Sequence, residues 1–214
     1  MSGFWLKLRA ALGGLVIVLM ALPSANAESI AATDSQGVVL TKIETYLNTL
    51  GTLQSDFIQV ASDGSYAQGK LVMAKPGKMR MEYHPPVPIV LIADGVFLIY
   101  IDTELNQISH IPLVLTPAAA LLDDNLSFEN PDLTVSDFKH ANGLISVTVT
   151  QSSDPDEGAL TLTFTDAPFQ LRKWRVVDSQ GVTTDVTLLD PRTGMDVDPR
   201  LFDAPVVESN QNDR

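Results

Sequence analysis

Cysteine is missing from all 214 residues, basic side chains are scarce, and aromatics make up only 7%. The first absence excludes disulfides, thiolate metal sites, iron–sulfur clusters and a cysteine nucleophile. It equally excludes attachment of a lipid to an N-terminal cysteine. Fourteen Lys and Arg stand against 26 Asp and Glu, a net charge of −12. That balance argues against nucleic acid as a partner, because affinity for a phosphate backbone rests on Lys and Arg neutralising it. The signatures of common active sites are missing too. There is no GxSxG elbow, GxxxxGK[ST] loop, HExxH helix or DxDxDG loop.

What is present begins with a targeting segment. Lys7 and Arg9 precede the apolar run Ala10–Met20, Pro23 breaks it, and Ala25-Asn26-Ala27 supplies a small-x-small cleavage pattern. The run is 11 residues long, short of the roughly 17 that a membrane-spanning helix needs. Residues 1–27 are therefore expected to be a cleaved signal peptide, leaving 28–214 as a single domain. In a prokaryote that domain would be soluble and periplasmic. It would carry 12 basic and 26 acidic residues, a net of −14. With 45% hydrophobic residues the chain can build a sizeable core.

Residues 28–37 are small and polar and are expected to be disordered. From Val38 the period turns helical: Leu40, Ile43, Leu47 and Leu50 recur at spacings of three and four, Val39 and Tyr46 widen the stripe, and Gly51 stops it. Strands follow. Gly69–Lys75 and Lys78–Tyr83 alternate apolar and charged residues around Pro76-Gly77, and Pro88–Ala93 and Val96–Ile101 flank Asp94-Gly95. Leu144–Thr150, Ala159–Thr165, Leu171–Asp178 and Val182–Leu189 complete at least eight strands, with 137–142 and 179–181 read as turns. Strands in series with few helices between them make an antiparallel meander rather than a wound α/β sheet. Thr116-Pro117-Ala-Ala-Ala-Leu121-Leu122 interrupts the meander as a short helix, with Thr116 as N-cap and Pro117 in its first position. From Val206 the chain is read as a loose polar tail.

No catalytic constellation emerges. His84, His110 and His140 are far apart, and Asp123-Asp124 and Asp154/Asp156 lie in polar loops. No catalytic residue, no metal ligand and no cofactor are accordingly expected. The informative feature is an apolar strand face. Period two turns Leu71 and Met73 inward with Lys70 outward, and Met79, Met81 and Tyr83 inward with Arg80 and Glu82 outward. The next strand presents Ile89 and Leu91, or else Val90 and Ile92. The one after presents Phe97, Ile99 and Ile101, or else Leu98 and Tyr100. Such a wall is either a packed core or an apolar cavity, and methionines suit a surface that accommodates variable ligands. If the strand persists to Lys75, its ammonium points inward and needs acceptors, the C-terminal carbonyls of a covering helix being the nearest. If Pro76 already begins the turn, Lys75 is solvated.

These residues, in this order, resemble the periplasmic outer-membrane lipoprotein carrier proteins, the LolA family. The resemblance rests on Phe57-Ile-Gln59, Gly69–Tyr83 with its Lys75-Pro-Gly77, Ala93-Asp-Gly95 with Tyr100-Ile-Asp102, Leu115–Leu122, Asp178-Ser-Gln-Gly181 and Phe202-Asp-Ala-Pro205. It implies a mainly β fold with α, an unclosed antiparallel β-barrel capped by short helices that enclose an apolar cavity. It also implies a monomeric carrier, not an enzyme. Such a carrier takes acylated lipoproteins from an inner-membrane ABC-type lipoprotein-releasing complex to an outer-membrane lipoprotein receptor. The cavity wall is then Leu71, Met73, Met79, Met81, Tyr83, Ile89, Leu91, Phe97 and Ile99. The lid and its latch are Leu40, Ile43, Leu47, Lys75, Leu121 and Leu122. In the family an Arg before Pro bonds the lid helices. Its match here is Lys75, which keeps the charge but loses the planar fork. Met79 and Met81 stand where the family often has aromatics. The rival readings are a β-barrel module for another apolar ligand and a hydrolase, the latter requiring His84, His110 and His140 to converge.

Overall fold

The computed structural model describes residues 25–204, of which 25–34 by backbone alone. The expected signal peptide therefore lies almost wholly outside the described residues, as does the polar tail from Val206. Two compact units divide between Ser35 and Gln36, and the larger, Gln36–Arg214, carries the sheet.

Helix α1 spans Ala25–Thr49. It starts well before the apolar stripe at Val38, so residues 28–37 are helical rather than disordered. The segment from Glu28 to Gln36 contains Ala31 and Ala32 and no Gly or Pro, so nothing in it breaks a helix propagating backwards from the stripe. From its C-terminal end follow β1 (Thr52–Ala61), β2 (Tyr66–Ala74), β3 (Lys78–Tyr83), β4 (Ile89–Asp94), β5 (Phe97–Asp102) and β6 (Gln107–Pro112). A 3-10 turn at Leu113–Leu115 and helix α2 (Ala118–Leu122) lead to β7 (Leu133–Ala141), β8 (Leu144–Gln151), β9 (Gly158–Thr165), β10 (Gln170–Asp178) and β11 (Thr183–Thr193). A last 3-10 turn occupies Pro199–Phe202.

All of these strands form one 11-stranded sheet in the order β6-β5-β4-β3-β2-β1-β11-β10-β9-β8-β7. Every pairing is antiparallel. The sheet is thus two meanders, β1–β6 and β7–β11, joined where β1 meets β11. It does not close: β6 and β7 are its free edges, and the segment 113–132 runs from one edge to the other.

Three strands lie outside the sequence reading. β1 and β6 carry weak alternation, Thr-Leu-Gln-Ser-Asp-Phe and Gln-Ile-Ser-His-Ile-Pro, and so give no clear period. β7 runs through Asp137, a region read as a turn. The chain turns only at Asn142 and Gly143, both in the left-handed region at φ 55° and 74°. A register shift between Val135 and Asp137 breaks the alternation that would have marked the strand. Thr116 is not an N-cap either. Its hydroxyl donates to the Leu113 carbonyl at 2.8 Å, and the first turn of α2 has no side-chain cap.

The larger of two buried apolar clusters lies on one face of the sheet. Phe57, Leu71, Met73, Met79 and Met81 from the first meander meet Ile145, Val147, Leu162, Phe164 and Leu171 from the second, with Ile43 and Leu47 of α1 above them. Gly69 leaves room for this packing, since a Cβ there would stand 2.8 Å from the Phe57 ring. Among the described residues no buried side-chain nitrogen or oxygen lacks a partner. Tyr83 illustrates how. Its ring meets Phe57 edge-on at 5.2 Å, its hydroxyl donates to Gln59 Oε1 at 2.6 Å, and burial pushes its pKa up to about 12.

Candidate ligand cleft and its covers

Two covers lie over the inner face of the sheet. The first is α1, which contributes Ile43 and Leu47, both fully buried, with Leu40, Val39 and Tyr46 partly buried beside them. The second is the segment joining the two free edges, which contributes Leu113, Leu121, Leu122 and Leu126. Fully buried side chains of this size are worth about 2 kcal/mol each, so apolar contact supplies most of what keeps the covers down.

A single turn between β2 and β3 holds the C-terminal ends of both covers. The Lys75 amide donates to the Gly51 carbonyl at 2.8 Å, and the Gly77 amide to the Leu122 carbonyl at 2.9 Å. The Lys75 ammonium donates to the Leu47 carbonyl at 2.8 Å. The last turn of α1 contains no basic residue of its own, so Lys75 supplies the cation that complements the exposed carbonyls there. Burial lowers the Lys75 pKa to about 8, against the attraction of Asp123 and Asp124, which raises it. The ammonium is still mostly protonated at neutral pH. Gly77, at φ 73°, brings the turn against the β4–β5 turn, where a Cβ would stand 2.8 Å from the Gly95 Cα.

The two covers also bond to each other. Asn48 donates from Nδ2 to the Leu126 carbonyl and accepts from the Leu126 amide, both at 2.9 Å. Glu44 Oε1 accepts from the Phe128 amide at 2.6 Å. Glu44 and Asn48 are one helical turn apart and so share a face. Their spacing was readable in the sequence, but their partners, some eighty residues away, were not. Farther along the helix, Lys42 pairs with Asp166 at 3.1 Å and lies 4.3 Å from the centre of the Phe169 ring.

Beside α2 opens a cleft of about 760 Å³. Its apolar lining includes Leu113, Leu122, Leu126, Leu133, Val149 and Leu160. Val96, Val114 and Leu115 stand at it with more than 60% of their surface exposed (64%, 69% and 63%). Its charged lining is Asp123, Asp124, Asp132, Asp154 and Glu157, with no Lys, Arg or His.

The expected wall residues divide into three groups. Leu71, Met73, Met79, Met81 and Tyr83 are buried on the inner face beneath the covers, and Ile89 and Leu91 pack partly buried against them. Phe97 and Ile99 do not belong there. Ile99 is buried on the opposite face with Ile92, Ile101 and Phe202, and Phe97 is exposed, its ring edge-on to His110 at 5.9 Å. Leu98 is the β5 residue that packs against the inner cluster. The misassignment has a physical cause: the turn Pro199–Phe202 packs on β3 and β4, and its Phe202 shares an outer cluster with Ile92, Ile99 and Ile101, so both faces of β4 and β5 are apolar and alternation carries no sign. None of the nine expected wall residues lines the open cleft; of the lid residues only Leu122 does.

The three histidines do not converge. His84 follows β3, His110 lies on β6 and His140 on β7, where its Nε2 is 3.1 Å from Asp166 Oδ2. Among the described residues no three metal-ligating side chains come together, and no helix is long and apolar enough to cross a membrane.

Comparison with known proteins agrees with this architecture. Residues 48–205 match the family model described as "Outer membrane lipoprotein carrier protein LolA". An outer-membrane lipoprotein carrier protein of Methylococcus capsulatus is 25% identical over 179 residues, 80% of this chain and 85% of its own. An uncharacterized protein of Rickettsia prowazekii is 27% identical over 156 residues, 73% of this chain and 72% of its own. The fold is shared with a DUF1329 family protein from Desulfovibrio piger, with a TM-score of 0.50 at 8% identity, covering 79% of this chain and 96% of that one. The unclosed antiparallel sheet, its helical covers and a family match across most of the chain lead to one assignment: the protein belongs to the LolA family of outer-membrane lipoprotein carrier proteins.

Proposed function

We propose that the protein, freed of residues 1–27 by signal-peptide cleavage, is a soluble periplasmic carrier without catalytic activity. It shelters the acyl chains of lipoproteins that an ABC-type complex releases from the inner membrane and delivers them to an outer-membrane receptor. One observation carries the reading: an apolar sheet face is closed by two covers, and a single turn, through Lys75 and Gly77, holds the C-terminal ends of both α1 and α2. Burying acyl chain yields about 0.8 kcal/mol per CH₂, or on the order of 12 kcal/mol for a chain of roughly 16 carbons. The fully buried Ile43 and Leu47 of α1 hold it down with about 4 kcal/mol, roughly a third of that. An entering chain therefore displaces Ile43 and Leu47, with Leu40 at their side, and Leu121 and Leu122 of α2. It takes their place against Leu71, Met73, Met79, Met81, Tyr83, Ile89 and Leu91. Lys75 is the latch that re-forms when cargo leaves. A single ammonium donor makes a weaker latch than a guanidinium fork, which favours release as well as entry.

The test mixes residues 28–214 with inner-membrane spheroplasts holding a newly made triacylated lipoprotein. A soluble one-to-one complex in the supernatant is the expected result. A folded protein that releases nothing from compatible membranes sinks the transport reading. Hydrogen exchange on the loaded complex then checks the mechanism, with faster exchange expected in residues 40–50 and 116–128. Unchanged exchange in both segments would mean the covers do not move.

A further inference from the structure

The cleft beside α2 poses a problem that its apolar lining does not solve. A protein that accepts acyl chains at a membrane meets phospholipids in large excess, and their chains are the same. A hydrophobic pocket discriminates poorly between ligands of like shape, so the choice must fall on the head group. Resting on the carrier reading above, we propose that the acidic rim of this cleft is a lipid filter. It admits the uncharged diacylglyceryl anchor of a lipoprotein and refuses the phosphate of a phospholipid.

The composition of the rim carries the proposal. Asp123, Asp124, Asp132, Asp154 and Glu157 line the cleft, all are exposed, and no basic side chain lines it with them. None of the five takes part in an ion pair found among the described residues. The ammonium of Lys75, which Asp123 and Asp124 attract, is turned to the Leu47 carbonyl. Apolar walls focus a field of one sign within a cleft, and like charges brought together suppress the wrong partner even where the attractive contacts are identical. A phosphate that reaches the cleft on its way to the covered face passes over Leu113, Leu122 and Leu160 and meets five carboxylates, none of them in an ion pair among the described residues. An anchor without phosphate meets only the apolar floor.

The test presents phosphatidylcholine vesicles containing a minor fraction of tail-labelled dioleoylglycerol or of phosphatidylglycerol with the same tails. It measures the label recovered with protein after the vesicles are removed. At low salt the wild type is expected to favour dioleoylglycerol by about tenfold or more, with the preference collapsing near 1 M salt, where the screening length falls to about 3 Å. The triple variant D132N/D154N/E157Q leaves the carboxylates beside Lys75 in place and is expected to take up phosphatidylglycerol several-fold better. The salt series on the wild type probes the same charges without any substitution. Equal uptake of both lipids at low salt overturns the filter and leaves the carrier reading standing. A preference that neither salt nor the triple variant alters also overturns it, because the selection is then one of shape. Uptake of neither lipid, by protein whose circular dichroism shows it folded, removes the acyl site and the filter together.

Discussion

The two meanders use the same alternation for different ends. In β8 and β9 one face is buried and the other is polar: Ile145, Val147, Val149, Leu160, Leu162 and Phe164 point in, while Thr148 and Thr161 bond each other across the outer face at 2.9 Å. In β4 and β5 both faces are apolar, since Ile92, Ile99 and Ile101 pack outward on Phe202 while Ile89, Leu91 and Leu98 pack inward. The second meander is thus a one-sided wall with a wet back. Through β4 and β5 the first is a layer between two cores, the inner one lying under the covers. In the proposed mechanism, a ligand that lifts the covers would uncover one side of the first meander and leave the other side clamped. The strands therefore need not come apart when the inner face opens.

The comparison breaks most visibly at Phe164, which is fully buried, stacks on Phe169 at 5.2 Å and meets Tyr46 of α1 edge-on at 5.8 Å. Phe164→Ala is expected to cost about 3–5 kcal/mol, read as a lower midpoint of urea unfolding. Ile99→Ala comes next, at about 2–4 kcal/mol. Because Ile99 belongs to the outer cluster, its loss should leave uptake of an apolar ligand unchanged, whereas Met81→Ala on the inner face should alter it. If the two substitutions change uptake alike, the two cores of the first meander are not independent.

Lys75 tests the proposed latch through pH. Burial holds its pKa at about 8 in the folded protein against an ordinary 10.5. Between those values the unfolded chain binds more protons, so stability rises with pH across that window and is flat below it. The rise is at most about 3 kcal/mol, and a Lys75→Met variant should lack it when both proteins are unfolded in urea near neutrality and at about pH 10. Equal slopes would mean that Lys75 is not buried against α1. The smallest effect is expected at Thr148→Val, which removes one hydrogen bond from the polar outer face and should change stability by less than about 1 kcal/mol. A loss comparable to that at Ile99 would erase the distinction between the two outer faces.

The same contrast explains what the sequence could disclose. Where one face carries polar side chains, in β3, β8 and β9, those residues mark the outer side and both the strand and its inner residues can be read directly. In β4 and β5 the burying partner is Phe202, some hundred positions later, so the runs identify strands but not their faces. β7 was obscured by its bulge. The latch was legible as a need rather than as a contact: a lysine at the end of an inward-facing series requires acceptors, but that they are the Leu47 carbonyl depends on the tertiary path of α1. The open cleft was not legible at all, because the segment 113–132 and the start of β9 have no periodic relation to each other.

The pairing of β1 with β11 has a consequence for how the molecule is made. Every other neighbouring pair in the sheet consists of strands consecutive in the chain, which can zip up locally, whereas Leu53 must find Thr193 and Ala61 must find Thr184. Contacts between such distant parts of a sequence are slow to form. Until β11 is in place, the inner edge of each half is bare, with backbone groups ready to pair with any strand that arrives. The newly made chain thus passes through a vulnerable interval that only its last strand can end. Loss of that strand should lead to aggregation rather than to a smaller carrier.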